Sequence, residues 1–401
     1  MDRRNFIKGI GASAVTLSFA PHRLFGQSSR PKVLVSVFQR GAVDGLNMVI
    51  PFKEPAYRRL RPTIAIPEPS GVDGERTLDL DGFFGFHPVM SPLKPLFDEG
   101  RLGVVHASGS PAPTRSHFDA RDYMESATPG VKSTTSGWVN RYLESREDAE
   151  FLPFRGMSIG RSLPRSLAGR AQTFSVGSVA EARLNGPVEL YRELYAGGSS
   201  DIVSQAAVEM FRSLEFLESK RPGQFPPEVE YPPGRFPTDL REVAKLIKAD
   251  IGLEVAFVDI GGWDHHAGEG GTRGALGNRL REFAGGLRAF YDDLGDRIED
   301  VVIVTMSEFG RTAAENGNAG TDHGHGNAML VLGGPVRGGK VYGDWPGLEP
   351  EQLYEERDLA ITTDFRTVLG EVVTEHLGGN DLGSIFPGFD MGEPLGLLRV
   401  L

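Results

Sequence analysis

Two short apolar runs, each closed by the same kind of polar cluster, constrain this chain more than any other feature. Val301 to Thr305 is apolar and β-branched almost throughout and is bounded by Glu299-Asp300; Glu254 to Asp259 (EVAFVD) is its counterpart. Runs this short without alternation read as strands buried on both faces of a parallel sheet. After the first come Ser307, Glu308 and Arg311, then a Gly/Asn-rich loop carrying Asp322, His323 and His325. After the second comes Gly261-Gly262-Trp263-Asp264-His265-His266. Ligand sites in open α/β sheets gather at the carboxyl ends of strands. Carboxylate plus imidazole at two such ends suits a divalent ion with mixed oxygen and nitrogen ligands. Five of the nine histidines (His117, His265, His266, His323 and His325) follow an expected strand or open a helix, which scattered core histidines would not do.

Composition narrows the chemistry. The chain has 401 residues, enough for one large α/β domain, and no cysteine, so any metal is held by oxygen and nitrogen alone. Net charge is −11; the first 26 residues sum to +3, leaving −14 for the rest, which argues against nucleic acid as a partner. Arg3-Arg4-Asn5-Phe6-Ile7-Lys8 followed by a mildly apolar run to Ala20 resembles a twin-arginine export signal, expected over residues 1–29. It predicts export of the folded protein by the twin-arginine translocation machinery to the periplasm or cell surface. No later run is long and apolar enough for a membrane span, so none is expected in the mature form.

In chain order, Lys32–Phe38 reads as the first core strand, and Asp44-Gly45 after it is either a turn or the place of a metal-binding carboxylate. Pro51 to Leu80 reads as loops with an edge hairpin, and Leu102–Ala107 as the second strand. Ser116 opens a helix running toward Met124. With Asp119 three residues on it has the pattern of an N-cap, and a hydroxyl there could equally serve as a nucleophile at the positive end of the helix dipole. Residues 140–250 read as a mostly helical insertion, with an apolar stripe at Ile202, Val203, Ala206, Met210, Leu214 and Leu217 and a helix at Leu240–Ile247. Leu276, Leu280, Phe283, Leu287, Phe290 and Leu294 mark an amphipathic helix of the βαβ kind. Ala328–Leu332 follows as a strand, then a glycine hairpin at Gly338-Gly339, and Asp364–His376 as a closing helix.

The blocks SHFDA, GGWDHH, SEFGR and GTDHGHG, with the twin-arginine start, resemble the exported bacterial family known as domain of unknown function 1501. That family in turn resembles, more distantly, the alkaline phosphatase and sulfatase superfamily. The resemblance implies one α/β domain over residues 30–401, a mainly parallel sheet sandwiched by helices. It implies hydrolysis of a phosphate or sulfate ester, from a small molecule or a glycan, by a metal-activated serine. Two divalent ions (Zn, Mn, Ca or Mg) would be held by Asp44, Asp264, His266, Asp322, His323 and His325, with His265 behind His325 as the distal histidine. Ser116 would be the nucleophile. Arg311 would hold a non-bridging oxygen, unless it only forms a surface ion pair with Glu308 or Glu315. Glu308 would be a ligand, a base or the group that orients His323. The alternatives are a non-catalytic exported binding or assembly protein that keeps the fold and one ion, and a metal-dependent enzyme acting on surface polysaccharide.

Overall fold

The structure is a computed structural model that describes residues 30–146, 152–160, 162–180 and 202–399, with only the backbone for 202–208. The expected export signal lies outside the described residues. Twelve strands are present among those described: β1 Val33–Arg40, β2 Val49–Ile50, β3 Leu78–Asp79, β4 Gly85–Phe86, β5 Leu102–Gly109, β6 Gly156–Ile159, β7 Thr173–Val176, β8 Val255–Gly261, β9 Val301–Ser307, β10 Asn327–Gly333, β11 Val341–Tyr342 and β12 Thr363–Asp364. Nine form one sheet in the order β11-β5-β10-β9-β1-β8-β6-β7, with β12 continuing along β5. Only β10 runs against its neighbours, β9 and β5; the other pairings are parallel. Strands β2, β4 and β3 make a small antiparallel sheet.

The central strands are apolar on both faces because both are covered. Val33, Val35 and Val37 of β1 join one core with helices α4 (Arg235–Lys248) and α5 (Ala275–Asp293). Leu34 and Phe38 join the other, with α2 (Trp138–Glu144) and α6 (Phe365–Glu375). The six-residue stripe expected on α5 is at most 2% exposed along its whole length. Each such side chain contributes about 1.5–3 kcal/mol by leaving water, so this helix is fixed to the sheet by packing.

Two expectations are corrected and one is extended. The middle segment is mostly helical among the described residues, but β6 and β7 extend the sheet beyond β8, with Met157 beside Ala256. Four-residue strands carry too little pattern to be read from sequence. In α3 (Ile202–Lys220) Leu217 is buried but Met210 is 42% exposed, so the stripe does not hold at that position. Gly338-Gly339 is no hairpin, because β10 already has β9 and β5 as neighbours. The chain instead crosses the start of β5, where Gly339 N–H donates to Leu102 O (2.9 Å), and β11 pairs parallel on the far side of β5.

Register sets up the site. Arg40 lies beside Gly261 and Gln39 beside Ser307, so β1, β8 and β9 end level with one another. The segments that follow all issue from that edge.

Candidate metal centre

Three loops and a helix start converge at this edge. Gly41 is held at φ +115°, and a Cβ there would sit 3.0 Å from Asp264 N, so glycine lets the β1 loop lie against the β8 loop. Trp263, fully buried, donates from Nε1 to Ile260 O (2.8 Å) and anchors the turn that presents Asp264. Beyond β9 the chain doubles back on itself: Thr312 N–H donates to Asp322 O (2.9 Å), and Gly324 N–H to Gly310 O (2.8 Å). This short ladder pairs Arg311 with His323 and fixes the second cluster. From the β5 side comes α1 (His117–Ser126), with Ser116 as its N-cap.

Four side chains meet. His323 Nε2 lies 3.0 Å from His117 Nε2 and 3.0 Å from His266 Nε2. Asp264 Oδ1 is 2.9 Å from His266 Nε2 and 3.2 Å from His323 Nε2, and Asp264 Oδ2 is 3.6 Å from His117 Nε2. The Phe309 ring packs against both His117 and His323. Asp264 and His266 are nearly half exposed, so the cluster is open to solvent on one side.

The far side of each imidazole decides what the near side can be. His323 Nδ1 is 2.9 Å from the carbonyl oxygen of Arg115, and His266 Nδ1 is 2.9 Å from Asp322 Oδ1. Both partners only accept, so each Nδ1 carries a proton, and in the neutral form of either ring its Nε2 presents a lone pair. His117 Nδ1 faces Glu308 Oε1 at 3.6 Å, a little beyond a formed hydrogen bond. Lone pairs of His266, His323 and Asp264 therefore crowd one point, and a single proton could bridge only one of those contacts. A cation satisfies them together. Ligand atoms of His117, Asp264 and His323 all lie within 4.8 Å of one another, close enough to share one ion. His266 Nε2, beside Asp264 and His323, is a further candidate donor. The set fits a divalent ion, and the groups behind the histidines are the kind that orient metal ligands.

The electrostatics follow from the packing. Burial pushes the Asp264 carboxyl up, but the hydrogen bond and charge of Arg311, with His266 and His323, bring it below its ordinary range. His117 is raised, mainly by Glu308 and against burial. His323 is lowered, mainly by burial. Glu308 also ends lowered: burial is outweighed by His117 and by the N–H groups of Gly41 (2.9 Å) and Ala42 (3.0 Å).

The other expected site residues fall elsewhere. Asp322 stands one step out, behind His266, and also accepts from Asn316 Nδ2 (3.2 Å). Asp44 is buried and gives both oxygens to Arg61, at 2.5 and 3.0 Å. The fully buried Arg61 spends its remaining donors on Asn47 Oδ1 and on the carbonyls of Thr312 and Ala313, each at 2.9 Å. His325 is stacked on Tyr354 with ring centroids 4.1 Å apart, and burial lowers its pKa to about 4. His265 has a buried Nδ1 without a hydrogen-bond partner and is lowered by burial. Glu308 faces His117, not His323. Arg311 is 2% exposed and is no surface pair with Glu308 or Glu315. It donates to Asp264 Oδ1 (2.7 Å), to Thr321 Oγ1 (3.1 Å) and to the Thr321 carbonyl. Ser116 caps α1, its Oγ accepting weakly from Asp119 N at 3.5 Å. His117 joins the candidate donors although the sequence gives it no role of its own; its signal there is a place at a helix start beside Ser116.

Residues 243–380, which hold Asp264, His266 and His323, match the family described as "Protein of unknown function (DUF1501)". No curated protein matches. Among solved structures the chain is similar to the PsFucS1 sulfatase from Pseudoalteromonas sp. (13% identity, 92% of this chain and 74% of that one, TM-score 0.42). It is also similar to Ps i-CgsB in complex with k-i-k-neocarrahexaose (11% identity, 90% and 75%, TM-score 0.42). A third similarity is to the C-terminal periplasmic domain of EcEptC from Escherichia coli in complex with Zn (10% identity, 76% and 73%, TM-score 0.35).

Proposed function

We propose that this chain is a metal-dependent hydrolase of phosphate or sulfate esters, exported by the twin-arginine pathway to the periplasm or cell surface. One divalent ion, in place of the expected two, is held by His117, Asp264, His266 and His323. The observation that carries the reading is the convergence of His117, His323 and Asp264 on one point, with His266 Nε2 beside Asp264. Bound there, a divalent ion would supply Lewis-acid polarisation of an ester oxygen. The protein's own groups have separable tasks in this reading. Ser116 is the nucleophile, at the positive end of a ten-residue helix and next to the ligand His117. Arg311 positions Asp264 with one of its N–H groups and holds the Thr321 segment with two more; Glu308 positions His117.

The rival reading is a non-catalytic exported binding or assembly protein with a single ion. It is favoured by one observation: the Ser116 hydroxyl is already engaged as a helix cap.

Protein purified without chelators, assayed for metal and for turnover of aryl phosphates and aryl sulfates, separates the two. About one ion per chain with turnover is expected. Ser116→Asp keeps a capping oxygen but cannot form a phosphoseryl or sulfoseryl intermediate. It should melt near the wild type and lose at least a thousandfold in rate. Metal without turnover on any ester would select the binding protein.

A further inference from the structure

Two consecutive residues late in the chain reach the two halves of the centre. Arg357 donates from Nη2 to the carbonyl oxygen of His323 (3.0 Å). Asp358, next to it, takes the guanidinium of Arg115 on Oδ2, from Nε at 2.9 Å and from Nη2 at 2.5 Å. Arg115 leads into α1: its own carbonyl accepts from His323 Nδ1 (2.9 Å), and Ser116 and His117 follow it. His117 and His323 are 206 residues apart in the chain, yet their Nε2 atoms meet at 3.0 Å. Residues 357 and 358 thus each grip one of the two segments that must be brought into register.

The segment that carries them is anchored on the same ladder. Ala313 N–H donates to Arg357 O (3.1 Å) and Gly326 N–H to Leu359 O (2.8 Å), while Tyr354 and Asp358 exchange backbone bonds (2.8 and 3.0 Å). This arrangement is not a relaxed one. Glu355 and Glu356, in the turn, both sit at φ +52°, a left-handed conformation unfavourable for residues with a Cβ. Asp358 is fully buried, and its Oδ1 has no hydrogen-bond partner, which costs stability. Strained backbone of this kind clusters where the geometry it imposes has a use. For stability alone, an apolar pair of similar volume would serve as well as this ion pair. What the pair supplies is direction: two N–H groups held by one buried oxygen fix the Arg115 side chain, and with it the carbonyl to which His323 Nδ1 donates. Glu355, the other partner of Arg115 Nη2 (2.7 Å), is about half exposed and adds little.

We propose that Asp358 is a positioning residue of the metal centre: acting through Arg115, it sets the carbonyl that orients His323 and the helix start that carries His117. The inference rests on the metal centre of the proposed function and not on its ester chemistry. Full-length wild type, Asp358→Asn, Arg115→Met and the double variant would be titrated with Co(II), a divalent ion with a visible spectrum, against a chelator and below their melting temperatures. Each single variant should bind at least tenfold more weakly and show an altered Co(II) spectrum. Because one residue acts through the other, the double variant should match the singles and not multiply their losses. The double variant leaves no unpaired buried charge, so it decides if a single variant fails to fold. Histidine ¹⁵N spectra of the metal-free proteins give a second readout: His323 should carry its proton on Nδ1 in the wild type and shift partly to Nε2–H in Asp358→Asn. Wild-type Co(II) affinity and spectrum in Asp358→Asn, or in the double variant, would overturn the proposal, as would losses that multiply. If the wild type takes up no ion, the metal centre falls, and an unchanged His323 tautomer in Asp358→Asn would then overturn the positioning role as well.

Discussion

The same sheet edge carries two clusters built from similar residues and finished in opposite ways. Around Asp264, acceptors face one another across a gap that is open to solvent. Around Asp44, a buried guanidinium already fills the corresponding place, and all five of its N–H groups are matched by acceptors. Asp44 gives both oxygens to its guanidinium, whereas Asp264 takes a single bond from Arg311 (2.7 Å) and still faces three imidazoles, so only the second cluster has donor atoms left to offer a metal ion. Arg61 thus stands where the superfamily resemblance leads one to expect a metal at Asp44. The two clusters are joined through Arg311, which donates to Asp264 and Thr321, and through Thr321 Oγ1, which donates to Glu269 Oε2 (2.7 Å) beside Asp44.

The largest effect expected from this contrast is on metal content. Asp264→Ala should drop bound metal from about one ion per chain to near zero, measured by elemental analysis after gel filtration. Asp44→Asn should leave it unchanged, whatever it does to melting. Equal losses from both substitutions would erase the distinction. Next is stability. Arg61→Met leaves Asp44 buried without its cation, so denaturant unfolding should show a loss of about 3–5 kcal/mol. A loss under about 1 kcal/mol would mean that the pair is not sealed as described. A smaller effect sharpens the account of the metal side. Asp322→Asn removes the carboxylate behind His266 without touching a ligand, and metal affinity from chelator competition should fall about 10–100-fold. No change would show that His266 is oriented by something else.

What could be read from the sequence divides along the same line. The runs at Glu254 and Val301 announced their strands because burial on both faces demands an unbroken apolar run. Asp264 and His266 were legible because they lie just past such a strand, and His323 because it closes the glycine-rich loop that follows the other. His325 was not separable from His323, since what distinguishes them is the ring of Tyr354, far along the chain. His117 was overshadowed by Ser116, whose capping pattern is local and easy to see. Arg61 gave no signal at all. It sits in a Pro- and Arg-rich stretch read as loops, and its meaning comes entirely from partners at Asp44, Thr312 and Ala313. Local patterns reveal where strands end; pairings across long sequence separations decide which carboxylate is left free.

The smallest expected effect tests how the sealed cluster accommodates a second carboxyl. Glu269 is fully buried, and its Oε1 has no hydrogen-bond donor although it neighbours Asp44. Two adjacent buried carboxylates are not both ionised, and burial together with Asp44 holds Glu269 well above the ordinary carboxylate range. The protonated acid can then donate to Asp44, which supplies the missing partner. Because the folded pKa is raised, this group's contribution to stability is complete below the unfolded carboxylate pKa. It is lost as pH rises toward the folded value, while folding requires uptake of a proton. Glutamine has the same shape and always has an N–H to offer. Glu269→Gln should therefore fold normally and lose that dependence. Its unfolding free energy relative to the wild type should grow with pH above about pH 5, by at most about 1.4 kcal/mol per pH unit. Parallel pH profiles for the two proteins would mean that Glu269 is ionised in the folded state, and that the Arg61 cluster balances two negative charges and not one.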